Sequence, residues 1–149
     1  SKEIVEKLAK DFPKQILGVK DSSYNLYETI KIPNFLIFPG SETKLLKGLK
    51  LGCAGIISAT CNVAGGLARK VYDDFHKKKN QTFNEKLCSI RSTFDKYNLI
   101  SGVHAFMEAE NEKYARVLPP LSLLNKNQKK ELMDKLKELD FFPEQNIAA

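Results

Sequence analysis

Lys20 closes the apolar run Ile16-Leu17-Gly18-Val19 and is followed at once by Asp21-Ser22-Ser23. A short apolar run ended by turn residues reads as a buried strand. The lysine is therefore expected at the carboxyl end of that strand, which is the reactive face of barrels and doubly wound sheets. An ammonium held among Ile16, Val19 and neighbouring strands loses hydration, and this disfavours its charged form. A neutral amine can attack a ketone to form a Schiff base. On residue types alone, a solvated surface lysine is the competing reading. The remaining reactive side chains point elsewhere. Cys53, Cys61 and Cys88 form no C-x-x-C pair, and His76 and His104 do not stand at metal-site spacing from them. These cysteines are expected to be reduced thiols of a cytosolic protein, packed as small apolar side chains, with no zinc centre.

The elements that must position Lys20 repeat at short intervals. Apolar runs begin at residues 16, 35 and 56, as Ile16-Leu17-Gly18-Val19, Phe35-Leu36-Ile37-Phe38 and Gly55-Ile56-Ile57-Ser58, so the repeats are 19 and 21 residues long. None alternates apolar with polar, so each reads as a parallel strand buried on both faces. A helix is predicted between the first two, over Ser22 to Ile32, with Ser22 or Ser23 as N-cap. Another is predicted over Glu42 to Leu51, where Leu45, Leu46 and Leu49 share a face, Ser41 suits the N-cap and Gly52 the C-terminal stop. Doubly wound units usually need about 30 residues or more, so these short units favour a (β/α)8 barrel. The second half changes character. Helices are predicted over Val63 to Lys79, Thr82 to Tyr97, Leu99 to Lys113 and Lys126 to Leu139, with Pro119-Pro120 as a break. Val71, Tyr72 and Phe75, then Leu87, Ile90, Arg91 and Phe94, form stripes that read as core faces.

Composition removes other classes. The chain has 149 residues, enough for one domain. It is 42% hydrophobic and 28% charged, as in ordinary globular proteins. No apolar run approaches the ~18 residues of a membrane span. The first residues are charged and helix-like rather than a secretory signal, and a start at Ser1 without Met points to a processed or truncated beginning. The net charge of +6 invites a nucleic-acid hypothesis. Its distribution argues against one: Lys77-Lys78-Lys79 sits where a helix ends, and elsewhere lysines alternate with acids as on solvated faces. Three parallel strands cannot close a barrel. Either the sheet is open with few strands, or the chain is the C-terminal part of a larger α/β protein, and the second is the reading preferred. Residues 1–79 would form the last three βα units of a TIM barrel, and 80–149 a C-terminal helical extension.

The segments G-V-K-D-S-S, F-P-G-S-E and G-I-I-S-A-T-C-N-V, in that order, resemble the dihydrodipicolinate synthase / N-acetylneuraminate lyase family at its sixth, seventh and eighth barrel strands. Leu118-Pro119-Pro120-Leu121 is similar to the Pro-rich turn before that family's last helix. The resemblance implies a class I aldolase mechanism without a cofactor. Lys20 would condense with the keto carbon of pyruvate or another 2-keto acid, and the iminium would act as electron sink. Gly40, Ser41 and Glu42 would contact the hydroxylated part of the substrate. Ile57 would stand beside the pyruvate pocket through its backbone carbonyl, and Ala59 would line the same pocket. Departures accompany these matches. Nothing upstream of Lys20 matches the family's catalytic tyrosine in its Tyr-Asn-x-Pro context, and Tyr24-Asn25 follows the lysine instead. The Gly-Thr-Thr motif for the pyruvate carboxylate is absent. Gly65-Gly66 stands where relatives often carry proline, at the start of a predicted helix.

Gly-Ser followed by an acid resembles the 2-keto-3-deoxygluconate aldolase branch, where the synthase branch more often has Gly-Asp-Asp. The expected function is cleavage of 2-keto-3-deoxy sugar acids to pyruvate and an aldehyde. The alternatives are dihydrodipicolinate synthase or N-acetylneuraminate lyase activity, or a noncatalytic paralogue of the same fold. Expected partners are a small 2-keto acid, the N-terminal half of the barrel and further copies in a homotetramer. The expected location is cytoplasmic, with neither nucleic acid nor membrane involved.

Overall fold

The computed structural model describes residues 1–23 and 25–143, so Tyr24 of the Tyr24-Asn25 pair lies outside the described residues. Helix α1 (Lys2–Asp11) leads to strand β1 (Gly18–Asp21), which pairs in parallel with β2 (Leu36–Pro39). Gly18 stands opposite Leu36 and Asp21 opposite Pro39. The pairing depends on Gly18 having no side chain, because a Cβ there would run into the carbonyl and Cβ of Leu36. Burial on both faces, expected of these strands, is not observed. Lys20 is exposed, Leu36 is 49% exposed, and Leu17 just before β1 is 60% exposed. Among the described residues no strand covers the other flank of β1.

The third predicted strand, over 55–59, lies along β2 but is not a strand. Ala54 N–H donates to the Ile37 carbonyl at 3.0 Å and Ile57 N–H to the Pro39 carbonyl at 3.2 Å. Three residues here span what two span on β2. Gly55, at φ 155°, falls inside that step. One extra residue breaks the two-residue register as a bulge does, so the ladder cannot continue. The spatial order of the three segments still follows the chain, as expected.

The connections are shorter than predicted. In place of a helix over Ser22 to Ile32 there is one turn, α2 (Leu26–Thr29), preceded by Asn25 in the left-handed conformation at φ 70°. Neither Ser22 nor Ser23 caps it. The segment from Glu42 begins as a 3-10 turn (Glu42–Lys44) and continues as α3 (Leu45–Lys50), with Gly52 beyond it at φ 87° as the predicted stop. Four longer helices follow: α4 (Cys61–His76), α5 (Asn84–Phe94), α6 (Leu99–Glu108) and α7 (Lys126–Glu138). Gly65-Gly66 does not delay α4, whose irregularity is a kink at Ala64 (φ −114°, ψ 16°). Helix α6 stops at Glu108 rather than Lys113, because Asn111 caps a separate 3-10 turn (Glu112–Tyr114). The Pro-rich segment is a turn closed by Leu121 N–H to the Leu118 carbonyl at 3.0 Å. Asn125 and Gln128 start α7 with reciprocal bonds of 2.9 and 3.1 Å between side chain and backbone.

The predicted stripe of α5 is the centre of the core. Leu87, Ile90 and Phe94 are fully buried against Val71 of α4, Val103 and Phe106 of α6, and Leu132 and Leu136 of α7. Leu45 and Leu49 of α3 belong to the same cluster, so one apolar core joins the βα segments to the last helices. Each fully buried Leu or Phe contributes about 1.5–3 kcal/mol.

Two glycine substitutions separate close approach from mere flexibility. Gly18→Ala is expected to destabilise by about 1–3 kcal/mol or more, since β1 must move off Leu36. Gly65→Ala meets nothing within 4 Å inside α4 and is expected to stabilise by about 0.5–1 kcal/mol. Urea unfolding midpoints of the two variants, compared with wild type, check both signs.

Candidate functional site

Three loops meet beyond the carboxyl ends of the strands. Strand β1 carries Lys20 and ends at Asp21, which is buried and turns the chain into the first loop. A buried carboxylate must have its oxygens satisfied. Here one oxygen accepts the Ser23 N–H at 2.9 Å and the Ser23 hydroxyl at 2.5 Å, and the other accepts the Tyr27 N–H at 2.7 Å. Asp21 therefore supplies the cap that Ser22 or Ser23 was expected to give α2. The loop after β2 is fastened to the same turn. Gly40 N–H donates to the Asp21 carbonyl at 2.8 Å, and Lys44 Nζ donates to the Ser23 carbonyl at 3.1 Å.

Glu42 is the hub of the second and third loops. Its side chain is completely buried, and the guanidinium of Arg91, 12% exposed, pairs with it at 2.9 Å. Thr60 Oγ1 donates to one carboxylate oxygen at 2.5 Å and Cys61 Sγ to the same oxygen at 3.3 Å. Ser58 Oγ donates to the other at 2.7 Å and itself accepts from Arg91 Nη1 at 2.8 Å. Arg91 also reaches the Gly40 carbonyl at 3.4 Å, and its Nε is held by Asp95 at 2.8 Å. Burial alone would raise the pKa of Glu42, making it a weaker acid. The bonds from Thr60, Ser58 and Arg91 outweigh burial and hold the carboxyl below its usual value of 4.5. Burial, and then the Glu42 charge, push the Cys61 thiol up to about 12, so it stays a protonated donor. It is part of a polar network rather than the plain apolar filler expected from sequence.

The predicted site residues are thus placed as follows. Lys20 stands at the end of β1 with its side chain exposed, so the described residues do not desolvate it as expected. Gly40 and Ser41 are half-buried, and the Ser41 hydroxyl accepts from Thr43 N–H at 3.4 Å, which makes it the predicted N-cap. Glu42, expected to meet substrate, is enclosed by protein donors instead. Ile57 is 48% exposed, and the Ala59 carbonyl accepts from the side chain of Asn62 at 2.8 Å. Gly40, Ser41 and Glu42 are brought to Ser58, between Ile57 and Ala59, while Lys20, opposite Phe38 on β2, joins them through the backbone of its neighbour Asp21.

Two residues that organise these loops are not singled out by the sequence reading. Asp21 had a legible signal, because Asp before Ser-Ser is an Asx-turn pattern. Arg91 was read as one more member of the α5 stripe, yet a charged residue in a buried stripe demands a partner. Among the described residues no three His, Cys, Asp or Glu side chains are placed to hold a metal ion, and no helix is long and apolar enough to cross a membrane.

The pair makes stability depend on acid. Because Glu42 is more acidic in the folded state, its contribution is complete above about 4.5 and is lost as pH falls through the lower folded value. Arg91→Met, which strands the buried carboxylate, is expected to cost about 3–5 kcal/mol at neutral pH. Its stability should also fall less than that of wild type on acidification. Urea unfolding followed from pH 7 to pH 3 checks both the magnitude and the slope.

The model of the Dihydrodipicolinate synthetase family matches residues 1–139. The 4-hydroxy-tetrahydrodipicolinate synthase of Desulforamulus reducens is 33% identical over 76 residues, which cover 48% of this chain and 25% of that protein. A dihydrodipicolinate synthase structure from Thermotoga maritima superposes with a TM-score of 0.80 over 95% of this chain and 51% of its own, at 18% identity. The N-acetylneuraminate lyase of Proteus mirabilis gives 0.77 over 95% and 50%, at 20% identity. This chain therefore spans about half the length of those structures, and at such identities they speak for the α/β fold alone. The match of the family model over 139 residues decides membership: the chain belongs to the dihydrodipicolinate synthetase family.

Proposed function

We propose that this chain is the Schiff-base-bearing part of a class I aldolase acting on 2-keto acids, with Lys20 as the nucleophile. The observation that carries the reading is the tie between the Lys20 and Gly40 loops, Gly40 N–H to the Asp21 carbonyl at 2.8 Å, at the strand end where this family's motif falls. The neutral amine of Lys20 attacks the keto carbon and water leaves, which gives an iminium. As the β-hydroxyl loses its proton and becomes the aldehyde, the bond between the α- and β-carbons breaks and its electron pair passes into the iminium. This leaves a pyruvate enamine that protonation and hydrolysis release. Ile57, through its carbonyl, and Ala59 flank the keto acid. Gly40 and Ser41 face the hydroxylated part, and Glu42 holds that loop in place rather than touching substrate.

In this proposal residues 1–79 are the last three βα units of a TIM barrel and 80–149 its helical extension. The N-terminal half would cover the open flank of β1, desolvate Lys20 and supply the proton-transferring tyrosine and the carboxylate-binding residues. The assembly is a cytoplasmic homotetramer that needs no cofactor. Gly40-Ser41-Glu42 favours 2-keto-3-deoxygluconate as substrate. The relative from Desulforamulus reducens, named as a synthase, supports condensation to 4-hydroxy-tetrahydrodipicolinate as the second reading.

Pyruvate and borohydride should add one reduced pyruvoyl group to the peptide containing Lys20 in the complete protein. Lys20→Ala and Lys20→Arg should lose both label and turnover, since guanidinium stays protonated and cannot condense. Release of pyruvate from 2-keto-3-deoxygluconate, without formation of 4-hydroxy-tetrahydrodipicolinate, would select the aldolase branch. Label on another lysine would overturn the assignment.

A further inference from the structure

We infer that Arg91 is a positioning residue that sets the aldehyde side of the site from the helical extension. The inference rests on the proposed roles of Lys20 and the Gly40–Ser41 loop. Arg91 lies on α5 beside Ile90, and Leu87, Ile90 and Phe94 pin that helix in the core with no exposure. Asp95, one turn further on, takes Nε and fixes the plane of the guanidinium. The free arm of the fork, Nη1, meets Gly40, Glu42 and Ser58.

Two of these three contacts are more than charge neutralisation. The Gly40 carbonyl is the backbone of the loop itself, so the bond orients the peptide that carries Ser41. Ser58 lies between Ile57 and Ala59, so the same arm sets the spacing between the loops on either side of the substrate. Glu42 cannot remain uncompensated with zero exposure. Without the fork it must turn outward or take a proton, and either change drags Ser41 with it. Lysine at 91 would supply the charge but not the fork: one point donor cannot hold Asp95 and the Gly40 carbonyl together. The pyruvate step is coupled to Arg91 less directly. Lys20 belongs to the β1 turn organised by Asp21, which Arg91 reaches only through Gly40, whose N–H donates to the Asp21 carbonyl at 2.8 Å. Ile57 and Ala59 are approached through the Ser58 side chain alone.

Arg91→Lys is tested in the complete protein, with condensation of pyruvate and glyceraldehyde as the assay and borohydride trapping as the separate measure of Lys20. The expected result is wild-type labelling, a raised KM for glyceraldehyde and a kcat/KM for glyceraldehyde lower by about 10–100-fold, the scale of an ångström-level misplacement. The KM for pyruvate should move less. Ser58→Ala, a smaller perturbation, should shift the same parameter in the same direction, and it keeps the test open where Arg91→Lys does not fold. An unchanged glyceraldehyde KM alongside reduced thermal stability would make Arg91 merely structural. Equal effects on both substrates would overturn the inference as well. A wild-type protein that fails to label at Lys20, or labels without condensing glyceraldehyde, would instead remove the functional reading on which it rests.

Discussion

The buried ion pair between Glu42 and Arg91 is the constraint around which this chain is arranged. Its carboxylate has no exposure, and a charge so placed is tolerated only where its oxygens are bonded and a counter-charge stands within reach. Meeting that demand recruits Ser58, Thr60 and Cys61 from the loop beyond β2's neighbouring segment, and Arg91 from a helix 49 residues away in sequence. A single buried acid thereby joins two loops of the βα half to the helical half. The apolar cluster through Leu45, Val71, Leu87 and Leu136 supplies the bulk of the cohesion. The polar pair decides how the two halves are registered.

A second, smaller carboxylate centre does for the first loop what Glu42 does for the others. Asp21 gathers Ser23 and Tyr27 around its two oxygens, and its carbonyl accepts from Gly40. Lys20, one residue earlier, points away from this knot and is exposed. Among the described residues no strand covers the other flank of β1, and Leu17 and Leu36 expose apolar surface there.

The bulged third segment shows how locally strand character can fail. Gly55-Ile56-Ile57-Ser58 has the apolar content of a buried strand, yet one extra residue between two hydrogen bonds to β2 ends the ladder. The offset also carries Ser58 to Glu42 and leaves Ile57 half exposed. Register, rather than propensity, makes this edge of the site.

Sequence alone determined the order of β1, β2 and the four longer helices that follow them, the parallel pairing expected of β1 and β2, the stripe Leu87, Ile90 and Phe94, the stop at Gly52 and the cap at Ser41. Each of these depends on neighbours within a few residues or on a fixed period, which a linear pattern records. The motifs around Lys20, Gly40 and Ile57 likewise pointed to the family. Only the tertiary structure decided that Glu42 is enclosed rather than open, that Cys61 is a hydrogen-bond donor, that Lys20 stays exposed and that Arg91 reaches the Gly40 loop. Helix α2 shrank to a turn for the same kind of reason, since Asn25 is left-handed and the cap comes from Asp21. These outcomes depend on which distant groups share a desolvated volume. Burial and the pairing of charges are properties of that volume, and sequence spacing does not carry them.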